Sequence, residues 1–289
     1  MKQLAVISGK GGTGKTSIVA SFAFLADAVI ADCDVDAPDL HILLKPEIKE
    51  RKEYSGLKIA VVDHKKCIHC GKCREYCRFD AIDEDININE SCEGCGVCEY
   101  VCPTNAIVLK QRKSGEVFSS MTKFGPMAHA LLYTAEETSG KLVTMVRNEA
   151  RQLAEKCGKD MIIIDGPPGI GCPVIAAISG ANAVLIITEP TVSGIHDMER
   201  VLQVANHFGI NAMVCINKYD VNKEKAEEIE KYCNEREIEI VGKIPFSKKF
   251  TEAMVHGLSI MEYDEKLADL IKKIWEKVSL TLENGKGNI

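Results

Sequence analysis

Eight of the thirteen cysteines in this 289-residue chain fall within 36 residues, and their spacing is regular. Cys67, Cys70, Cys73 and Cys77 follow C-x2-C-x2-C-x3-C, and Cys92, Cys95, Cys98 and Cys102 repeat that spacing 25 residues later. The repeat extends beyond cysteine, because CIHCGKCREYCRFDAI aligns with CEGCGVCEYVCPTNAI without a gap. Three closely spaced thiolates wrap one cubane while the fourth crosses to the other, so the duplication suits two 4Fe–4S clusters. One set is Cys67, Cys70, Cys73 and Cys102; the other is Cys92, Cys95, Cys98 and Cys77. Zinc knuckles also use C-x2-C, but they take two pairs per site and have no use for a third cysteine at the same short interval. His64 and His69 lie close by, yet eight thiolates already fill both sets. The histidines read as surface or flanking residues.

A second constellation opens the chain. The apolar run Leu4–Ile7 leads into Gly9, Lys10, Gly11, Gly12, Thr13, Gly14, Lys15 and Thr16, and an apolar-periodic stretch follows from Ser17 to Ala26. Strand, glycine-rich loop and helix is the context in which G-x4-G-K-[ST] cradles phosphate. Glycines let backbone N–H groups turn inward, and the helix adds the positive end of its dipole. Lys15 would reach the β- and γ-phosphates, and Thr16 would offer its hydroxyl to Mg²⁺.

Along roughly Val61–Leu109 the cysteine region resembles the two-cluster bacterial ferredoxins. It departs from them at Arg78, which follows Cys77 where Pro103 follows Cys102. The loop K-G-G-x-G-K-T resembles the deviant Walker A of the MinD/Mrp/nitrogenase iron protein family of dimeric ATPases. That resemblance implies a homodimer using ATP and Mg²⁺, in which Lys10 crosses to the partner's phosphates. It further implies that Asp32 and Asp34, in ADCDVDAPDL, manage the Mg²⁺ water and the attacking water. Asp165 in DGPPGIG would hold a Mg²⁺-bound water, and Gly169 would bring an N–H towards the γ-phosphate. Asn217 with Lys218 would recognise the base, beside a pocket completed by Pro245. Asn217-Lys218-Tyr219-Asp220 also fits the N-K-x-D by which GTPases read guanine, but the resemblance favours ATP and ADP. Asp36 and Asp39 are expected only to cap or solvate their loop.

The remaining cysteines divide. Cys33, Cys157, Cys215 and Cys233 sit in apolar or helical settings and read as buried small hydrophobes. Cys172 lies seven residues past Asp165, at an offset similar to the bridging-cluster cysteine of the nitrogenase iron protein, but no partner ligand for it is evident. The C-terminal C-x-x-C of Mrp-type cluster carriers is absent.

The elements that must position these groups follow from apolar runs. Leu4–Ile7, Val29–Ala31, Met161–Ile164, Ala183–Ile187, Ala212–Ile216 and Ile238–Ile244 are short and unalternating, as parallel strands buried on both faces are. Helical patterns at Lys141–Lys156, Gly194–His207 and Lys223–Glu237 alternate with them. The fold class expected is α/β: a doubly wound, mostly parallel P-loop NTPase sheet with an inserted small α+β ferredoxin-like domain. The expected division is 1–58 and 111–289 for the P-loop domain and 59–110 for the insertion, joined by charged linkers at Lys45–Tyr54 and Lys110–Glu116.

Composition narrows the partners. A net charge of −6 offers no basic surplus for nucleic acid. No apolar run approaches 18 residues, so neither a membrane span nor a signal peptide is expected, and the cysteines point to a reducing cytoplasm. The function expected is nucleotide-gated electron transfer to an unidentified redox partner. The alternatives are an iron–sulfur carrier ATPase serving a client protein and MinD-like positioning. The last rests on the apolar face of Glu265–Leu282, which reads better as a closing core helix.

Overall fold

The computed structural model describes residues 1–133 and 139–284. Strand β1 (Lys2–Ser8) runs through the glycine loop into α1 (Lys15–Leu25), followed by β2 (Val29–Asp32) and the short α2 (Leu40–Leu44). A 16-residue strand β3 (Glu47–Val62) leads to two single turns, α3 (Lys72–Glu75) and α4 (Val97–Tyr100). A second 16-residue strand, β4 (Ile107–Thr122), returns and is followed by β5 (Gly125–Leu132). The remainder alternates: α5 (Gly140–Cys157), β6 (Met161–Pro168), α6 (Cys172–Ile178), β7 (Ala183–Thr188), α7 (Val192–His207), β8 (Asn211–Asn217), α8 (Lys223–Glu235) and β9 (Glu239–Ile244). Three helices close the chain: α9 (Lys249–Val255), α10 (Ile260–Tyr263) and α11 (Glu265–Asn284).

The nine strands form one sheet in the order β3-β4-β5-β2-β6-β1-β7-β8-β9. From β5 to β9 the pairings are parallel, and the apolar runs of β1, β2, β6, β7 and β8 are largely buried as two-faced strands should be. The run Ile238–Ile244 departs from that expectation, because β9 is an edge strand on which Glu239 and Lys243 are exposed. Ser139, Thr191 and Asn222 cap α5, α7 and α8 by accepting a backbone N–H of the first turn. On one side, Leu4, Val6, Ile163 and Leu185 meet Ile18 and Phe22 of α1 and Ile271, Ile274 and Val278 of α11. Burial of each such side chain contributes roughly 1.5–3 kcal/mol. The apolar face of α11 is therefore spent inside the core, with Trp275 set against Phe22 at 4.8 Å between ring centres.

The chain divides into two compact units. The larger comprises Met1–Lys52, Val117–Leu131 and the described residues from 139 onward; the smaller comprises Glu53–Glu116 with Leu132 and Tyr133. These bounds are wider than 59–110, because the expected linkers are not linkers. Both lie in strands, β3 and β4. Their charges are answered by partners: Lys52 pairs with Glu149, Glu50 with Lys156 at 3.4 Å, and Lys113 with Glu53. The smaller unit has a slight core of Ala60, Cys73, Ile82, Ile86 and Ile107, against which five further cysteines pack.

Candidate functional site

Strand register assembles the first site. Asp165 of β6 stands level with Asp32 of β2 on one side and Val6 of β1 on the other, so the acidic residues meet the phosphate loop at the strand C-termini. Gly14 begins α1 with φ +88°, a left-handed conformation suited to glycine. A Cβ there would also lie 2.4 Å from the side-chain nitrogen of Asn217, which donates to the Thr13 carbonyl at 2.7 Å. Asn217 Oδ1 in turn accepts the Lys218 N–H at 2.9 Å. The amide nitrogen thus braces the loop while its oxygen is tied to the following backbone, a positioning role the sequence did not suggest.

A cavity of about 520 Å³ lies over the loop. Its floor is Gly11–Ser17; Asp34, Asp36 and Asp39 line one side, and Asn217, Lys218 and Pro245 line another. Asp36 and Asp39 face the cavity and do more than cap their loop. Phe246, Phe250 and Met254 add apolar wall, and neither Phe250 nor Met254 carried a sequence signal. Gly9 lies at the rim, where a Cβ would meet Asp197 at 2.1 Å. Asp220 is not among the lining residues; its Oδ1 accepts the Phe246 N–H at 2.7 Å.

Beneath the loop, Lys15 Nζ bonds Asp165 at 2.5 Å and Asp34 at 3.1 Å. Burial alone would lower the Lys15 ammonium, but the two carboxylates outweigh it and hold the group above its ordinary range. Burial, with Asp165 beside it, pushes the Asp32 carboxyl well up, and burial also raises Asp34 against the pull of Lys15. Thr13 Oγ1, Asp32 Oδ2 and Asp165 Oδ2 are buried without a hydrogen-bond partner. Orphaned carboxylate oxygens beside a phosphate loop fit a hydrated divalent cation. The carboxylates do not converge as a direct cage: among the described residues no three Cys, His, Asp or Glu could hold a single metal ion. Thr16, Asp32, Asp34 and Asp165 thus fit Mg²⁺ through its waters, as Mg²⁺ prefers.

Two expected contacts differ in this conformation. Lys10 turns back on its own subunit, with Nζ 2.5 Å from Glu189 and 3.4 Å from Ser193 Oγ. Glu189 also holds Lys218 at 3.1 Å, and Lys218 donates to the Gly12 carbonyl at 3.0 Å. Burial would raise the Glu189 carboxyl, and the two lysines draw it below the usual range. The signal for Glu189 was its place one residue past β7, where α/β sheets keep their ligand groups. The Gly169 N–H donates to the Ser8 carbonyl at 2.9 Å and must exchange that bond before it can meet a phosphate.

The cysteines form two further sites, both within the smaller unit. One small cavity is lined by Cys67, Cys70, Cys73 and Cys102, and another by Cys77, Cys92, Cys95 and Cys98. A single zinc ion needs its sulfurs about 4 Å apart around one point. Here four cysteines line each cavity, the donor set is all thiol, and among the described residues no three of them converge as they would on a single ion. Burial would raise the Cys102 thiol, but N–H groups of Thr104, Ala106 and Ile107 outweigh it and hold it below its ordinary value. Of the other cysteines, Cys33, Cys215 and Cys233 are buried, whereas Cys157 ends α5 exposed rather than buried. Cys172 is exposed at the start of α6.

Comparison with known proteins adds three findings. The model of the CobQ/CobB/MinD/ParA nucleotide binding domain matches residues 4–260. An uncharacterized protein of Methanocaldococcus jannaschii is 33% identical over 281 residues, 96% of this chain and 96% of that one. A dihydromethanopterin reductase (acceptor) of Methanosarcina mazei is 42% identical over 53 residues, 16% of this chain and 22% of its own. In fold the chain is similar to the septum site-determining protein MinD of Pyrococcus horikoshii, solved with Mg-ADP. The TM-score is 0.60 at 18% identity, over 100% of this chain and 99% of that one, a likeness of fold alone. Among the described residues no helix is long and apolar enough to cross a membrane.

Proposed function

The chain belongs to the CobQ/CobB/MinD/ParA nucleotide-binding family, and from that premise we propose an ATP-hydrolysing homodimer whose inserted ferredoxin module carries two 4Fe–4S clusters and couples nucleotide state to electron transfer. The observation that carries this reading is the pair of four-cysteine cavities in a chain that also holds a complete phosphate loop. The short match to a protein named as a reductase supports the redox half.

Hydrolysis follows from groups already in place. Backbone N–H groups of Gly11–Gly14 receive the phosphates, and Lys15 moves from Asp34 and Asp165 to the phosphate oxygens. That move frees Asp34 to orient the attacking water. Thr16, Asp32, Asp34 and Asp165 would hold Mg²⁺ through its waters, and the ion would supply positive charge to the phosphates. Lys10 leaves Glu189 and enters the partner's site as charge builds on the γ-phosphate. The eight cysteines would hold the two clusters, whose chemistry when bound would be one-electron exchange with a redox partner.

The sequence offers no counterpart of the C-terminal C-x-x-C of Mrp-type carriers, and the apolar face of α11 that a positioning role would use is packed into the core. The test begins with anaerobic purification from an iron-replete host. We expect about eight iron and eight sulfide per chain, ATP hydrolysis, and a cluster reduction rate that changes with ATP. About two zinc ions per chain and no cluster signal would sink the redox half. Intact transfer of a cluster to an apo-protein would favour the carrier.

A further inference from the structure

The duplicated cysteine runs invite a position-by-position comparison of the two cavities, and they differ in charge and in hydrogen bonding. Ile68 and Lys72 line the Cys67/Cys70/Cys73/Cys102 cavity, and their counterparts in the repeat, Glu93 and Val97, line the other. A lysine is among the residues lining one space and a glutamate among those lining its twin, both exposed to solvent. The third difference lies two residues past each crossing cysteine. Thr104 follows Cys102, with its hydroxyl 3.7 Å from the sulfur, and its counterpart after Cys77 is Phe79, which has no hydroxyl to offer. The Ala106 N–H also donates to Cys102 Sγ at 3.2 Å. Arg78 does not line the second cavity, whereas Glu93 does.

Reduction adds one negative charge to a cluster. A nearby cation and donors to the cysteine sulfur favour that charge, and a nearby carboxylate opposes it. All three differences have the same sign. We propose that the two cysteine sets hold clusters of unequal potential, the Cys67/Cys70/Cys73/Cys102 set the higher, so that an electron entering at the Glu93 side passes to the Lys72 side. One electron leaves the Cys77/Cys92/Cys95/Cys98 set and one arrives at the other, with no proton or atom moved. The Glu93 end is the entry and the Lys72 end is the exit. This ordering rests on the two-cluster reading above, and it fixes a direction that reading left open.

The test is an anaerobic redox titration of the whole protein followed by electron paramagnetic resonance, with iron counted on the same sample. The expected result is two one-electron steps whose equilibrium constants differ at least tenfold, about 59 mV. Lys72→Gln and Thr104→Val should each lower the upper step and leave the lower one in place. Glu93→Gln should raise the lower step alone, and Lys72→Arg should move neither. The transplant Ile68→Glu with Lys72→Val should draw the upper step down towards the lower. Unresolved steps in the native protein, or a Glu93→Gln that moves the upper step, would overturn the ordering while leaving eight iron per chain. Iron far below eight per chain would instead overturn the cluster reading and the ordering with it.

Discussion

The nucleotide cavity and the two cysteine cavities are built on opposite plans. Lys15, Asp34, Asp165 and Asn217 come from four separated stretches, and what brings them together is a sheet buried on both faces. That unit keeps its geometry through apolar packing. The cysteine sites draw on 36 consecutive residues, and their unit has a core of five residues, one of which is a ligand candidate. Small units with so little to bury generally need a staple. A site made by a fold and a fold made by its sites should fail differently.

Iron removal gives the largest expected effect. If the clusters are the staple, anaerobic chelation unfolds the smaller unit outright, because binding energy there is folding energy. Limited proteolysis should then cut throughout 53–116 while the larger unit stays intact and still binds ATP. Protease resistance across 53–116 in iron-free protein would show that its few apolar residues suffice.

Next in size is the effect expected at the loop's two lysines, of which Lys10 is proposed to act on the partner's nucleotide. Lys15→Ala should abolish nucleotide binding, whereas Lys10→Ala should leave it intact and slow turnover by up to about 10³-fold. Mixing the two inactive variants places one intact Lys10 opposite one intact Lys15, so part of the activity should return. No recovery on mixing would mean that each lysine serves its own subunit, and the pairing of Lys10 with Glu189 would be its working contact.

A third test separates the units by pH. His129 is largely buried in the larger unit, Nε2 2.9 Å from Ser120 Oγ and its ring 5.0 Å from that of Phe118. Burial lowers its pKa to about 4. The folded value lies below the unfolded one, so the neutral form is favoured in the fold. Its stabilising share is whole above pH 6.5 and is lost as pH falls towards 4, amounting to roughly 2–3 kcal/mol. Denaturant midpoints at pH 7.5 and pH 5 should differ for the native larger unit and differ less in His129→Gln. An equal difference in both would assign the acid sensitivity elsewhere, with Glu149 and Glu189, whose carboxyls the fold holds below their ordinary range, as the next groups to examine.

What could be read from sequence follows the same contrast. The grouping of eight cysteines around two cavities was legible because the residues of each set lie close together in the sequence. The phosphate loop was legible for the same reason, and the parallel strands because burial on two faces leaves an unbroken apolar run. The charged segments Lys45–Tyr54 and Lys110–Glu116 misled, since strands whose charges are paired by distant residues such as Glu149 look like linkers in one dimension. The hold of Glu189 on Lys10 and Lys218 joins residues 179 and 29 positions apart, and no local pattern announces it. Asn217 stood out in sequence, but its bracing of Thr13 became visible only when β8 was set beside the loop.

The smallest effect, and the one that probes the composite cavity most finely, concerns the base. The string Asn217-Lys218-Tyr219-Asp220 would read guanine through the aspartate, which must then face the ligand. Here Asp220 turns away from the cavity and holds the Phe246 N–H at 2.7 Å, which fixes the Pro245–Phe246 wall instead. A carboxylate committed to a backbone donor has less to offer an exocyclic amine, and without that contact guanine has no advantage in this wall. Direct binding with Mg²⁺ should therefore favour ATP over GTP. Asp220→Ala should weaken both nucleotides alike by loosening the wall, with no change in their ratio. A tenfold preference for GTP, about 1.4 kcal/mol, that disappears in Asp220→Ala would mean that the aspartate swings into the cavity when a base arrives. The cavity would then be shaped by its ligand in the way the cysteine module is, and the contrast between the two plans would hold only for the phosphate end.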